Sequence, residues 1–127
     1  MKQLLVLPLT GKYEIKIKYA KENVSPETYY DHLHDHPFLE ICIIMSGKML
    51  HFAGGRTYRL RFGDIFFCRC GELHYALAAE PSIYERLAIW IPQDAFSLLE
   101  GGNEAAFGVF SDSMYANTNV LRLREGC

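Results

Sequence analysis

Residues 31–40, DHLHDHPFLE, place three histidines at alternate positions, and a glutamate follows four residues after the last one. Alternate side chains of a strand point to one face, so His34, His36 and Glu40 would converge if this strand is continuous. Imidazole and carboxylate groups are good ligands for zinc, iron, nickel or manganese, and a ligand from another strand would complete the site. His74 is the candidate for that fourth ligand. This set predicts a site for a divalent metal ion.

The same four side chains also allow an interpretation without a metal ion. Imidazoles and a carboxylate could line a polar pocket and exchange hydrogen bonds with a small-molecule effector. We expect His32, which shares their parity, to lie at the rim. Pro37 removes one ladder donor, which indicates an edge or a bulge in this strand.

Three further residues are candidates for the wall of an effector pocket, namely His51, Tyr58 and Trp90. If Gly54-Gly55 forms a two-residue hairpin turn, His51 pairs with Tyr58 and points to the core side. Tyr58 and Trp90 could stack on a sugar or an aromatic effector, or serve as ordinary core residues. Arg86 could pair with an anionic ligand, but we expect it to be a solvated strand residue.

The elements that must position these residues are short β-strands. Between residues 13 and 91 the dominant period of apolar residues is two, with glycine-marked breaks, which is typical of a sandwich or barrel. Residues 56–62, RTYRLRF, alternate between an apolar and a basic face. In residues 40–47, EICIIMSG, both parities are apolar, which predicts a strand that is covered on both faces.

The C-terminal part has a different pattern. Residues 92–101 predict a short helix, which Pro92 or Asp94 can begin and Gly101 can end. A last strand is expected over residues 120–123. No internal repeat or low-complexity linker is visible.

Composition excludes several classes of protein. The 127 residues suffice for one domain with a single core, half of them are apolar, and the net charge is −2. Lysines and arginines are scattered, so we do not expect this chain alone to bind DNA tightly. Apolar stretches are far shorter than the roughly 20 residues that span a bilayer, and the four cysteines are expected to be reduced thiols. We therefore expect a cytoplasmic protein without a membrane segment.

Two stretches resemble the signature motifs of the cupin superfamily. HDHPFLEICIIMSG and GDIFFCRCGELH contain the expected residues at the expected spacing, which are His34, His36, Glu40 and Gly47, then Gly63, Gly71 and His74. The sequence departs from the pattern at Arg69 and Ala78, which are not ligand positions. The resemblance implies an all-β cupin fold over residues 1–127, a double-stranded β-helix or jelly-roll-like barrel with a short C-terminal helix. It also implies that His34, His36, Glu40 and His74 occupy the ligand positions of metal-binding cupins.

A longer series of segments is similar to the N-terminal sensor domain of AraC-type transcription regulators. The series comprises H-x-H-x-x-x-E-I, SGK, GGRTYRLRFGDIFF, GELHY and YERLAIWIPQDAF. This resemblance implies a small-molecule effector, such as a carbohydrate, and a homodimer formed through residues 41–45 or the helix near residues 96–99. DNA would be bound only by a separate C-terminal helix-turn-helix domain, which would follow residue 127. The alternatives are a small metal-dependent cupin enzyme, such as a dioxygenase, isomerase or lyase, and a metabolite-binding cupin without a regulatory partner.

Overall fold

The computed structural model describes residues 2–8, 14–92 and 118–122, which form nine β-strands. The strands are β1 Lys2–Pro8, β2 Glu14–Val24, β3 Phe38–Ser46, β4 Met49–Ala53, β5 Arg56–Leu60, β6 Ile65–Cys68, β7 His74–Ala78, β8 Ser82–Pro92 and β9 Val120–Leu121. None of these described residues belongs to a helix that is long and apolar enough to cross a membrane. Pro92 ends β8, and the rest of the helix predicted over residues 92–101 lies outside the described residues, as does the end of the strand predicted over 120–123.

The strands form two antiparallel sheets with the orders β1-β2-β8-β3-β6-β9 and β5-β4-β7. Buried side chains from both sheets pack into one core, which includes Val24, Cys42, Ile44, Phe66 and Tyr84 from the larger sheet and Met49, Ala53, Leu60, Ala76 and Ala78 from the smaller. This arrangement confirms the predicted all-β, jelly-roll-like barrel. The pairs β2–β8 and β3–β6 are neighbours in the larger sheet. Residues that are far apart in the sequence therefore lie side by side in the barrel wall.

The hairpin of β4 and β5 has the predicted register. The glycine pair 54–55 has φ angles of 57° and 75°, the left-handed values that a two-residue hairpin turn needs. His51 pairs with Tyr58, and the side chain of His51 is buried. The predicted apolar face does not extend to Phe62, which is 80% exposed because β5 already ends at Leu60.

Strand β3 is packed on both faces, as its apolar sequence predicts. Cys42 and Ile44 belong to the core between the sheets, whereas Leu39 points to the opposite face and packs with Phe67 in a second buried cluster. Both edges of β3 are paired, since it lies between β8 and β6. A dimer contact through residues 41–45 would therefore use the outer face of β3 and not its backbone edge.

Candidate functional site

His34 and His36 lie in the loop before β3, because the strand begins only after Pro37. Backbone hydrogen bonds in both directions, of 3.0 and 2.9 Å, join His34 to His74 at the start of β7. The N–H of Gly71 also donates to the carbonyl of His36, at 2.9 Å. The three histidines therefore meet through a bridge between two chain segments and not through the period of one continuous strand.

Each imidazole of this group is oriented by a backbone carbonyl. Nδ1 of His34, His36 and His74 lies 2.6, 3.0 and 2.8 Å from the carbonyl oxygens of His32, Phe38 and Glu72 respectively. A carbonyl oxygen only accepts hydrogen bonds, so Nδ1 carries the proton in each ring, and Nε2 is the nitrogen that can act as a ligand when the ring is neutral. Hydrogen bonds of this kind orient histidine ligands in metal sites.

Glu40 completes the group from β3. Its Oε2 is 2.9 Å from Nε2 of His36 and 3.7 Å from Nε2 of His74. Burial alone would raise the pKa of Glu40, but the hydrogen bond and charge of His36, together with the charge of His74, hold it below its usual value. Burial also opposes the charge of His36, whose pKa is nevertheless raised by the bond to Glu40. An ionised carboxylate beside a cationic partner is thus the favoured state of this group.

The donor set fits a divalent cation. One ligand nitrogen from each of His34, His36 and His74 lies within 4.8 Å of the others, so the rings would have to close by at least several tenths of an ångström to reach the separation of about 4.2 Å or less that two ligands of one ion have at a bond length of about 2.1 Å. Nε2 of His74 is buried and has no hydrogen-bond partner, which is rare for a buried polar atom. Burial lowers the pKa of His74, which favours the neutral imidazole that can act as a ligand.

A cavity of about 220 Å³ inside the barrel extends from this group. Phe38 and Trp90 line it beside the histidines, and the ring of Phe38 stacks on His36 with centroids 3.8 Å apart. Farther in, burial lowers the pKa of His51 to about 4, and Nε2 of this neutral ring lies 3.3 Å from the Tyr84 hydroxyl. The volume is below the roughly 300–1,000 Å³ of sites for drug-sized molecules, which indicates a small ligand.

Arg86 also lines this cavity, so its interpretation as a solvated residue is wrong. The residue is 9% exposed. Its guanidinium carbon lies 4.2 Å from the ring centroid of Tyr84 and 5.7 Å from that of Tyr29. The sequence pattern did not reveal this position, because β8 carries apolar residues in both of its alternate sets and neither set is marked as the inner one.

Asp31 is another cavity residue that the sequence pattern did not indicate. Its backbone N–H donates to the carbonyl of Ala76 at 2.7 Å, which holds the loop against β7. Burial raises the pKa of the Asp31 carboxyl, although the charge of the neighbouring His34 opposes this shift. A carboxyl group with a raised pKa in a cavity is suited to accept or release a proton.

Six of the predicted pocket residues line this one cavity, namely His34, His36, Glu40, His51, His74 and Trp90. Tyr58 is not among its lining residues, because its side chain reaches the segment before β9, where its hydroxyl accepts a 3.2 Å hydrogen bond from the N–H of Asn119. The side chain of His32 is exposed, and the residue meets the histidine group through its backbone carbonyl.

Comparison with known protein families gives one match. A sequence model described as the AraC-like ligand binding domain matches residues 19–104. The matched range contains β3 to β8 and all the residues of the cavity except Lys18. No curated protein sequence matches the chain significantly.

Several solved structures with a similar fold are described as cupins. The cupin domain of Cnp3 from Schizosaccharomyces pombe has a TM-score of 0.60 and 9% identity, and the match covers 79% of this chain and 71% of that one. A cupin 2 conserved barrel domain protein from Salinispora arenicola has a TM-score of 0.55 and 19% identity, with 80% and 83% covered. The DMSP lyase DddQ from Ruegeria pomeroyi has a TM-score of 0.58 and 21% identity, with 73% and 47% covered. At these identities the likeness confirms the cupin fold alone.

Proposed function

The chain belongs to the family of AraC-like ligand-binding domains, and we propose that it senses a small-molecule effector for a transcription regulator and forms its dimer. The observation that carries this proposal is the cavity, which is lined together by the histidine group, Glu40, Trp90 and Arg86. A space of this size inside a barrel, lined by aromatic and polar side chains, is suited to hold and orient a metabolite. In this role the chain would act in the cytoplasm.

We further propose that the effector site includes a divalent metal ion. His34, His36, His74 and Glu40 would hold it, and the backbone carbonyls that orient the rings would keep each Nε2 directed at it. A bound ion would act as a Lewis acid for an oxygen or nitrogen atom of the effector. The cavity side chains would then recognise the rest of the molecule.

A short path of contacts leads from this site toward the C-terminal segment. The carbonyl of Glu72 accepts the hydrogen bond of the His74 ring at 2.8 Å, and the carboxylate of the same residue accepts one from Asn119 at 2.5 Å. A change in the position of His74 would therefore reach residues 118–122, which lead toward any attached DNA-binding domain. An effector would act as a switch only if it binds the two arrangements with different affinity.

The direct test of regulation uses a reporter gene and the complete product of the gene that encodes this chain. We expect His36→Ala to abolish the response to the effector while DNA binding without effector is retained. Glu27→Gln, at an exposed position, is the matched control and should respond like the wild type. A regulator whose response is unchanged by His36→Ala would contradict the proposal.

The proposed dimer has its own test, the molar mass of the purified chain in solution. The two surfaces suggested by the sequence are residues 41–45 and residues 96–99, the second of which lies outside the described residues. Twice the mass of one chain is the expected result. A strictly monomeric chain, with no dimer in the complete gene product either, would count against the dimerisation role.

A metal-dependent cupin enzyme is the second candidate, and Asp31 is the observation that favours it. Its carboxyl lies in the cavity outside the proposed ligand set and has a pKa raised by burial, so it could serve as a general base. Elemental analysis of the protein purified without added metal separates the two functions in part. Stoichiometric iron or manganese together with turnover that Asp31→Asn abolishes would favour the enzyme.

A further inference from the structure

The cavity has a buried cation at a distance from the histidine group. Trp90 pairs with Glu40, whereas Arg86 pairs with Ile44. Arg86 therefore lies four positions before Trp90 in the strand, which corresponds to about 13 Å along β8 at a rise of about 3.3 Å per residue. The cavity thus offers a ligand two different groups, the guanidinium of Arg86 and the histidine group with Glu40, whose strand positions are well separated.

The guanidinium of Arg86 is incompletely bonded. Its Nη1 is buried without a hydrogen-bond partner, and the nearest carboxylate oxygen, Oε2 of Glu22, lies 3.6 Å away. That oxygen is shared, since Nζ of Lys2 also lies at 3.6 Å. Nη2 makes a long contact of 3.5 Å to the hydroxyl of Tyr29. A buried charge is stable only when it is paired and hydrogen-bonded, so this arrangement lacks an acceptor.

The missing acceptor has the properties of a carboxylate. The planar fork of a guanidinium matches the two oxygens of a carboxylate in a bidentate pair. A phosphate dianion fits the cavity less well, because its second negative charge would lie in the same space as the carboxylates of Asp31 and Glu40. The hydroxyls of a neutral sugar could accept hydrogen bonds from the guanidinium, but its charge would keep only the carboxylate of Glu22 at 3.6 Å, which Lys2 shares. A ligand with one negative charge is therefore favoured.

We propose that the effector is a small monocarboxylate, whose carboxylate binds Arg86 and whose other end presents an oxygen or nitrogen to the histidine group. The inference rests on the proposed function and names the chemical class of the effector. The cavity is also lined by uncharged groups, including His51, Phe66 and Tyr84. The rest of the ligand is accordingly uncharged and short.

Calorimetric titration of the whole chain tests this class with named probes. The probes are 5-hydroxypentanoate and 4-hydroxybenzoate, their neutral amides and D-xylose, each at up to millimolar concentration. We expect at least one carboxylate to bind about tenfold or more tightly than its amide. Arg86→Gln should remove this preference, whereas Arg59→Gln, at an exposed position of β5, should preserve it.

A second variant keeps the test decisive if Arg86→Gln does not fold. Glu22→Gln removes the nearest carboxylate of Arg86 and should tighten the binding of the carboxylate probe. Equal binding of acids, amides and D-xylose, with no effect of either variant, would overturn the carboxylate class and leave the effector site standing. Binding of no probe to the wild type or to Glu22→Gln would also overturn the class. The reporter response of His36→Ala then decides separately on the proposed function.

Discussion

Two regions of the barrel bury charged or polar side chains, and they differ in how completely these side chains are bonded. The first, the C-terminal clasp, consists of Asp64, Glu72, Asn119 and Arg122. Asp64 is 1% exposed and accepts two hydrogen bonds of 2.8 Å from Arg122, and a third of 3.0 Å from the N–H of Arg61. Asn119 is 2% exposed, and its Nδ2 donates to Glu72 and to a backbone carbonyl of β6.

The second region is the cavity, where buried atoms remain unbonded. Nε2 of His74 and Nη1 of Arg86 have no hydrogen-bond partner. A saturated polar group contributes to stability, whereas an unsatisfied one lowers it until a partner binds. The difference indicates that the clasp is structural and that the cavity is shaped for a ligand. A ligand that bonds these groups in the folded chain would raise its free energy of unfolding.

The largest expected effect is in the clasp. Asp64→Asn removes the charge that Arg122 and the backbone N–H of Arg61 stabilise, so we expect the free energy of unfolding to fall by about 3 kcal/mol. This is the lower part of the range for buried pairs, because the side chain of Arg122 is 43% exposed and can be solvated. Urea unfolding measures the change, with Glu27→Gln as control. If Asp64→Asn lowers the free energy of unfolding no more than Glu27→Gln does, the clasp does not stabilise the fold.

The next effect depends on pH and comes from His51. Burial lowers its pKa from 6.5 to about 4, so below pH 6.5 the unfolded chain binds a proton that the folded chain does not. Its stabilising contribution is present above pH 6.5 and is lost as the pH falls toward 4, by about 3 kcal/mol in total. His51→Gln keeps an acceptor for the Tyr84 hydroxyl and should flatten this pH dependence. Urea unfolding at a series of pH values would contradict the assignment if the wild type and His51→Gln show the same slope.

A smaller effect is expected on metal affinity. His74→Ala removes one proposed ligand, and we expect the affinity for Mn²⁺ or Ni²⁺ to fall by about 100-fold, or about 2.7 kcal/mol. His32→Ala removes an exposed imidazole outside the group and should leave the affinity unchanged. Trp90 is the only tryptophan of the chain and lines the cavity, so its fluorescence reports binding. Equal affinities of the two variants would place the ion elsewhere.

The structural features that could be predicted from the sequence are those that depend on local patterns. The hairpin register at residues 54–55 followed from glycine conformation, and His34, His36, Glu40 and His74 followed from spacing that resembles a known motif. The barrel also followed from the period of two. These features are local or belong to a family pattern, so one chain suffices to recognise them.

The remaining features depend on contacts between distant segments. Arg86 was misplaced because both parities of β8 are apolar, and only the packing of the larger sheet against the smaller one, with Tyr84 in the shared core, determines which face is inner. Tyr58 fitted a pocket by parity, yet its partner is Asn119, which lies 61 residues away along the chain. The clasp could not be predicted from the sequence either, because its contacts also join distant segments.

The most direct test of the contrast compares Arg86→Met with Asp64→Asn by urea unfolding without ligand. Removal of one partner of a buried pair is costly when the other charge is left uncompensated, but Oε2 of Glu22 keeps Nζ of Lys2 at 3.6 Å after Arg86 is replaced. We therefore predict that Arg86→Met retains or gains up to about 1 kcal/mol of unfolding free energy, while Asp64→Asn loses about 3 kcal/mol. Arg86→Met destabilised as strongly as Asp64→Asn would contradict the account, because Arg86 would then stabilise the barrel without any ligand.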